Sequence, residues 1–285
     1  MIKYVIYILF SLICNIAISQ NSQVINDSLK KSKLNFTCEV ISRYIWRGQS
    51  WGGDYVVVQP TLKYNCTSKF LIGTWATTNF KSDYFYPDGS SYKGYYELDF
   101  FIAYKVNKYL TLQVWDYYWP SVSRVEGIDN SYFNYGPNGV KTVDLNLLFD
   151  FSEVWRPFTL TISSLLAGND FRYDSNDENP KQNFTTYAEI GYSFKNIFKK
   201  KKSYYNNIDI VTNLGAVLNN QAQYYTAGDY NKLSIVNMSL KAVKTFSLND
   251  KWTLPIYLNY VHNAANENTE VFGRNFLLLG GSINY

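Results

Sequence analysis

The sequence predicts an all-β fold, a transmembrane antiparallel up-and-down β-barrel of about twelve strands. Three features of the chain point there. Tyr 27, Phe 18 and Trp 7 make 18% of the 285 residues aromatic, yet mean hydropathy is slightly negative and no run after the first residues is apolar enough for a spanning helix. That balance suits a wall in which every second side chain meets lipid. Apolar and polar residues also alternate with period two through segment after segment. The connections alternate as well, mostly short after even strands (residues 195–206 depart) and mostly long and polar after odd ones, which matches short periplasmic turns and long outer loops.

Residues 1–19 have the form of a secretory signal. Lys3 supplies the positive start, residues 5–13 the apolar centre, and Ala17-Ile18-Ser19 a small-residue cleavage site. The apolar run is shorter than the roughly 20 residues a spanning helix needs. Bulky Ile13 before Cys14 argues against lipoprotein processing. Residues 20–35 are polar and aperiodic, a flexible periplasmic lead-in. Residues 36–285 then form a single barrel domain.

The first hairpin sets the pattern. In strand 35–47, Phe36, Cys38, Val40, Tyr44 and Trp46 share the apolar face, with Thr37, Glu39, Ile41, Arg43 and Arg47 on the other. Strand 54–66 sets Leu62, Tyr64 and Cys66 against Gln59, Thr61, Lys63 and Asn65. Residues 48–53 become a tight turn at the outer rim. Cys38 and Cys66 lie on one face about that turn, and an exported protein permits a disulfide if register brings them together. The sequence leaves that open.

Ten further strands follow at 69–80, 94–106, 109–119, 141–151, 157–168, 184–194, 207–218, 233–246, 251–262 and 274–285. Each has the length a tilted strand needs to cross a bilayer. Strand 141–151 alternates cleanly, with Val143, Leu145, Leu147 and Phe149 opposite Thr142, Asp144, Asn146 and Asp150. Asp116 falls on an apolar face unless a bulge intervenes. Aromatics gather near both strand ends, as interface belts do. Trp46, Tyr95, Tyr96, Tyr117, Tyr118 and Trp119 mark the outer rim; Tyr64, Phe70, Tyr104, Trp155, Phe158, Trp252 and Tyr285 mark the periplasmic rim. The last strand, ending in Tyr285, is expected to close on the first and to engage the barrel assembly machinery.

The net charge of +4 is mild and spread along the chain, which gives no case for nucleic acid. The inner face is predicted to carry Glu39, Arg43, Arg47, Lys63, Glu97, Asp99, Asp144, Asp150, Glu189, Asp209 and Lys241. Such charges are costly toward lipid, so their alternation with apolar residues implies a polar lumen. The expected function is porin-like passage of small polar solutes. The alternative is a closed barrel whose charges pair internally and whose outer loops serve binding or adhesion. Arg43 and Arg47 are expected to pair with lumen carboxylates rather than to bind anionic solutes, because buried charges are usually compensated.

Enzymatic chemistry is not expected. His262 is the sole histidine and ends its strand with no partner in the pattern. The two cysteines that remain after leader cleavage and the one histidine are too few for a structural zinc site. The acidic loop 169–183, with Asp170, Asp174, Asp177 and Glu178, matches no calcium-loop spacing. No metal or cofactor is expected. The partners are outer-membrane lipids and small polar solutes, and the location is the bacterial outer membrane.

Ser42, Tyr44, Arg47 and Gly48 within SRYIWRG, followed after a short gap by Gln59-Pro60, resemble the N-terminal hairpin of a bacterial family of TorF-type porins, also called Gcw-chp proteins. That family shows a Ser-x-Tyr-x-x-Arg-Gly signature soon after its signal peptide. The segment LIGTWAT (71–77) and the aromatic terminal strand look similar too. The resemblance implies an outer-membrane barrel with an undefined substrate. It brings no catalytic residues.

Overall fold

The computed structural model describes residues 33–285, except 82–83, 86–90, 93, 121–126, 174–175, 177–178, 198–207, 221–224, 226–233 and 266–272. The expected signal segment, most of the lead-in, and Asp174, Asp177 and Glu178 lie outside the described residues.

Twelve antiparallel strands close into a barrel. They are β1 (Leu34–Ile41), β2 (Val57–Asn65), β3 (Phe70–Thr78), β4 (Tyr96–Lys105), β5 (Leu110–Tyr118), β6 (Lys141–Asp150), β7 (Phe158–Gly168), β8 (Thr186–Phe194), β9 (Ile208–Val217), β10 (Ser234–Ser247), β11 (Thr253–His262) and β12 (Asn275–Asn284). Each pairs with the next. β12 returns to β1, with Glu39 opposite Ser282 and Ile41 opposite Gly280. The barrel wall leaves none of its twelve strand edges open.

Alternation turns this ring into a two-faced wall. On β4, Leu98, Phe100, Ile102 and Tyr104 are exposed outward, while Glu97, Asp99, Phe101 and Ala103 are buried inward. Val40, Leu62, Ile72, Ile190, Leu214, Leu240, Leu258 and Leu277 extend the exposed aliphatic surface around the barrel. A closed wall with paired backbone and an apolar exterior is the form a β-protein takes in lipid. The short turns share one device. Thr67 Oγ1 accepts the amides of Lys69 and Phe70, Asn107 Oδ1 those of Tyr109 and Leu110, and Asn249 Oδ1 those of Lys251 and Trp252. Each side chain completes a turn the backbone alone leaves open.

Three features depart from, or sharpen, the sequence expectations. β1 stops at Ile41 instead of running to Arg47, and β2 starts opposite it at Val57. Between them, Tyr44–Trp46 pairs with Gln49–Trp51 as a separate two-stranded ribbon. Residues 48–53 are therefore not a turn on the outer rim. The ribbon folds into the lumen and takes Tyr44 and Trp46 with it, away from the lipid face. Tyr117 also faces inward, leaving the outer aromatic belt thinner than expected.

Asp116 does lie on the outer face, since β5 pairs with β6 without a bulge and places it beside Val143. Its charge is neutralised where it stands. Lys141 pairs with it, and the hydroxyls of Tyr132 and Tyr135 donate to it at 3.3 and 3.1 Å. The Lys141 ammonium lies 3.7 Å from the centre of the Tyr132 ring, so residues of the β5–β6 loop cover the pair.

Cys38 and Cys66 are free thiols. Register explains why: Cys38 stands opposite Pro60 and Ile283, whereas Cys66 lies beyond the end of β2. At the rise of a strand that offset is about 20 Å, far outside bridging distance.

Candidate functional site

The site grows from the point where the chain leaves the wall. Ser42 donates its amide to the Leu279 carbonyl at 2.9 Å, and its Oγ accepts the Leu279 amide at 3.1 Å. The side chain thus takes a donor that further strand pairing would have used, and the backbone is released inward. Tyr44 then packs its ring 5.4 Å from Trp75 and 6.0 Å from Tyr95. Trp46 and Gln49 pair across a two-residue turn made of Arg47 and Gly48. Both turn residues have positive φ, +48° and +82°, the mirror-image geometry that matches strand twist.

Glycine is required at the second turn position for two reasons. It supplies the left-handed backbone, and a side chain there would overlap the Val236 carbonyl of β10. Arginine at the first position is strained, at a cost on the order of 1–2 kcal/mol. Its side chain provides the compensation. Nη2 donates to Asp144 Oδ2 at 2.7 Å and Asn146 Oδ1 at 2.9 Å. Nη1 donates to Ser163 Oγ at 2.7 Å and the Tyr225 hydroxyl at 2.5 Å. The guanidinium lies 4.6 Å from the Trp46 ring centre and 4.8 Å from that of Tyr187. Charge-assisted bonds in a dry setting are the strong ones.

The receiving wall is equally organised. Asp144 is fully buried and also accepts the Tyr117 and Ser163 hydroxyls, at 2.9 and 2.6 Å. Trp46 stacks on Tyr225 at 5.3 Å, and Tyr225 stacks on Tyr187 at 5.6 Å. Asn263 donates to the Gly48 carbonyl at 3.2 Å. Two bulges interrupt the register of the described wall, at Val143/Asp144 against β7 and at Gly215/Ala216 against β10. The first adds Leu166 to β7 between the partners of Val143 and Asp144, and the second adds Val236 to β10, whose carbonyl the turn approaches. Bulges re-aim side chains in this way next to functional sites.

Ser42, Tyr44, Arg47 and Gly48, the residues that carry the resemblance noted in the sequence, thus all serve the inward ribbon. Ser42 releases it, Tyr44 seats its stem, and Arg47 and Gly48 form its tip. The ribbon starts between β1 and β2 and reaches β6, β7 and β8, across the twelve-strand ring.

The remaining expected lumen residues separate by depth. Glu97 accepts the Tyr95 hydroxyl at 2.8 Å, and Asp99 accepts the Tyr118 amide at 3.1 Å. Glu189 accepts from Tyr187 and Asn237. Glu39 accepts the Tyr257 hydroxyl at 2.7 Å, with the Lys241 ammonium 3.7 Å from that ring's centre. Lys63 and Asp150 are exposed near the short-turn ends of their strands. Asp209 pairs with Lys195 at 3.0 Å. Arg43 is not on the wall: it pairs with Asp54 at the ribbon stem and lies 5.1 Å from the Phe276 ring centre.

The structure therefore brings Arg47 and Asp144 together, with Glu189 beside them through Tyr187. Lys63, Asp150 and Asp209 stay apart at the other end. The sequence did not indicate Asn146, Ser163, Tyr187 or Tyr225 as partners of Arg47, or Asn263 as a partner of Gly48. The one local hint was a pair of aromatics alternating with two arginines before a glycine. His262 Nδ1 lies 2.8 Å from Asn275 Oδ1, which also accepts the Tyr260 hydroxyl. Among the described residues no group of three or more His, Cys, Asp or Glu is placed to hold a metal.

A family model described as "Bacterial protein of unknown function (Gcw_chp)" matches residues 30–254. No curated protein matches the chain. Solved structures similar to it include the KdgM porin, at 8% identity over 88% of this chain and 98% of that one, with a TM-score of 0.41. LpxR from Salmonella typhimurium is 10% identical over 88% and 99%, with a TM-score of 0.45. The COG4313 outer membrane channel from Pseudomonas putida F1 is 11% identical over 92% and 99%, with a TM-score of 0.43. These likenesses concern the general barrel form.

Proposed function

The chain belongs to the Gcw_chp family, whose description assigns no function; from the geometry we propose porin-like passage of small polar solutes through the lumen, with residues 42–56 closing the route in this conformation. The setting for this role is the bacterial outer membrane, reached by cleavage of the leader and insertion led by the strand ending in Tyr285. The resemblance to TorF-type porins is in keeping with it.

One observation carries the reading: the ribbon that fills the lumen is docked on the far wall by side chains rather than by strand pairing with it. Four hydrogen bonds from Arg47 and one from Asn263 hold its tip. These bonds can break while all twelve wall pairings persist. Below the ribbon, Thr61, Thr111, Gln113, Thr161, Asn213 and Lys241 face the lumen and keep partial access to water. A polar vestibule that ends at a removable segment suits a gated route better than a filled core.

Liposome swelling with small sugars and amino acids tests this. Wild-type protein is expected to admit them slowly, and Arg47→Ala or Asp144→Ala to admit them quickly. If folded, inserted variants swell no faster than wild type, passage is wrong and a closed barrel acting through its outer loops takes its place.

A further inference from the structure

We infer that the pocket occupied by Arg47 is an acceptor for guanidinium and related small organic cations, and that these are the solutes the barrel admits. The solute class rests on the passage reading; the acceptor itself does not.

Arg47 behaves as a ligand supplied by the chain itself. A guanidinium is a planar cation with five N–H donors, matched by acceptors arranged around its edge and by flat rings over its faces. The pocket offers both. Asp144 Oδ2, Asn146 Oδ1, Ser163 Oγ and the Tyr225 hydroxyl receive four donors, and Tyr187 presents its ring at 4.8 Å. Asp144, Asn146, Ser163 and Tyr187 belong to β6, β7 and β8, so they stay in place when the ribbon withdraws. Two of them are also braced independently of Arg47: Asp144 by the Tyr117 hydroxyl and Tyr187 by Glu189. The acceptor is preorganised in the wall.

Charge gives the second argument. In the outer half of the lumen the described inner wall carries Glu97, Asp99, Asp144 and Glu189. Arg47 is the cation placed among them, since Arg43 is engaged with Asp54 outside the wall. Withdrawal of the ribbon removes that cation and leaves buried carboxylates without it. A carboxylate in that position is costly unless a cation replaces the one removed. An alkali ion brings charge but no directional donors. A guanidinium or amidinium solute brings both and makes bidentate contacts. Anionic solutes meet a wall of their own sign.

The test uses the refolded, detergent-solubilised Arg47→Gly variant, in which glycine keeps the turn geometry and vacates the pocket. Calorimetric titration with methylguanidinium is expected to show binding about tenfold or more tighter than methylammonium. Arg47→Gly combined with Asp144→Asn is expected not to bind it, and wild type, where Arg47 competes for the pocket, to bind it at least about tenfold more weakly than the single variant. In planar bilayers the single variant is expected to be cation-selective, and the added Asp144→Asn to reduce that selectivity. Absence of methylguanidinium binding, binding that survives Asp144→Asn, or anion-selective current would overturn the inference.

The two readings fail separately. Binding without conduction removes passage and leaves the acceptor, while conduction without binding does the reverse. Wild type supplies a readout that needs no variant to fold. Methylguanidinium competing with Arg47 is expected to raise its conductance above that in methylammonium at equal ionic strength. Equal responses to the two would count against the inference.

Discussion

The half of the lumen at the long-loop end, expected to face outward, and the half at the short-turn end, expected to face the periplasm, are built from the same alternating strands, yet their inner faces have opposite fates. In the outer half, Glu97, Asp99, Asp144, Asn146 and Ser163 are buried beneath a ribbon that crosses the barrel. In the periplasmic half, Lys63 and Asp150 are exposed and Asp209 is bridged to Lys195 at the turn. Position on a strand face decides which way a residue points. What covers it decides whether its charge is buried and specifically paired or merely solvated. The ribbon makes that difference, so perturbing it should erase the contrast.

The largest expected effect comes from replacing residues 43–54 with a two-residue Asn-Gly turn. The wall pairings are untouched, so the barrel should fold and conduct in discrete steps where wild type is nearly silent. Next is a contrast between two ion pairs. Asp144→Ala strands a buried guanidinium and is expected to cost about 3–5 kcal/mol in urea unfolding. Asp209→Ala leaves behind a largely exposed Lys195 and is expected to cost about 0–1 kcal/mol. Equal costs would mean that the outer half is as wet as the periplasmic half.

Two glycines sharpen the point at smaller scale. Gly127 has φ +80° and open space where an alanine methyl would sit, whereas Gly48 backs onto the Val236 carbonyl at φ +82°. Gly127→Ala is expected to cost about 1 kcal/mol from backbone strain alone. Gly48→Ala is expected to cost about 2–3 kcal/mol and to loosen the ribbon, which the same unfolding curves would reveal.

The smallest effect is a pH contrast between two loop carboxylates. Burial pushes the Asp170 carboxyl up, against the pull of hydrogen bonds from Thr185 and Gln182. Hydrogen bonds from Ser131 and Asn134 hold the exposed Asp129 carboxyl below the ordinary range. A raised carboxyl contributes stability that is present below the ordinary aspartate value and is lost as pH rises through its own, higher one. A lowered carboxyl contributes stability that is present above the ordinary value and is lost as pH falls through its own, lower one. Side-chain carbon NMR titration should place the Asp170 midpoint above that of Asp129, and the reverse order would contradict both environments.

The barrel was legible because its signals are local. Period-two alternation and the sorting of short turns from long loops are properties of neighbouring residues, and they locate Glu39, Glu97, Asp99, Asp144 and Glu189 on the inner face. The ribbon was not legible, because residues 42–46 continue the alternation and read as more strand. What diverts them is the Ser42 bond to Leu279 and the approach of Gly48 to Val236, contacts made between segments far apart in sequence. That Arg47 would pair with a lumen carboxylate followed from the cost of burying charge; that the carboxylate is Asp144 depends on the ribbon crossing the lumen to β6, a contact between residues 97 apart in sequence. The Cys38–Cys66 pairing failed on register, which places Pro60 and not Cys66 beside Cys38.

The central claim is that the signature hairpin lies inside the barrel, and thiol accessibility tests it most directly. In the chain beginning at Gln20, with Cys38→Ser and Cys66→Ser as background, Gln49→Cys places a single thiol where the native side chain has no exposure. Its reaction with a membrane-impermeant maleimide should be slow in the folded barrel and should accelerate when Arg47→Ala is added. Rapid labelling in the Arg47 background, at the rate of an exposed outer-loop cysteine, would place the hairpin outside the lumen and contradict the account.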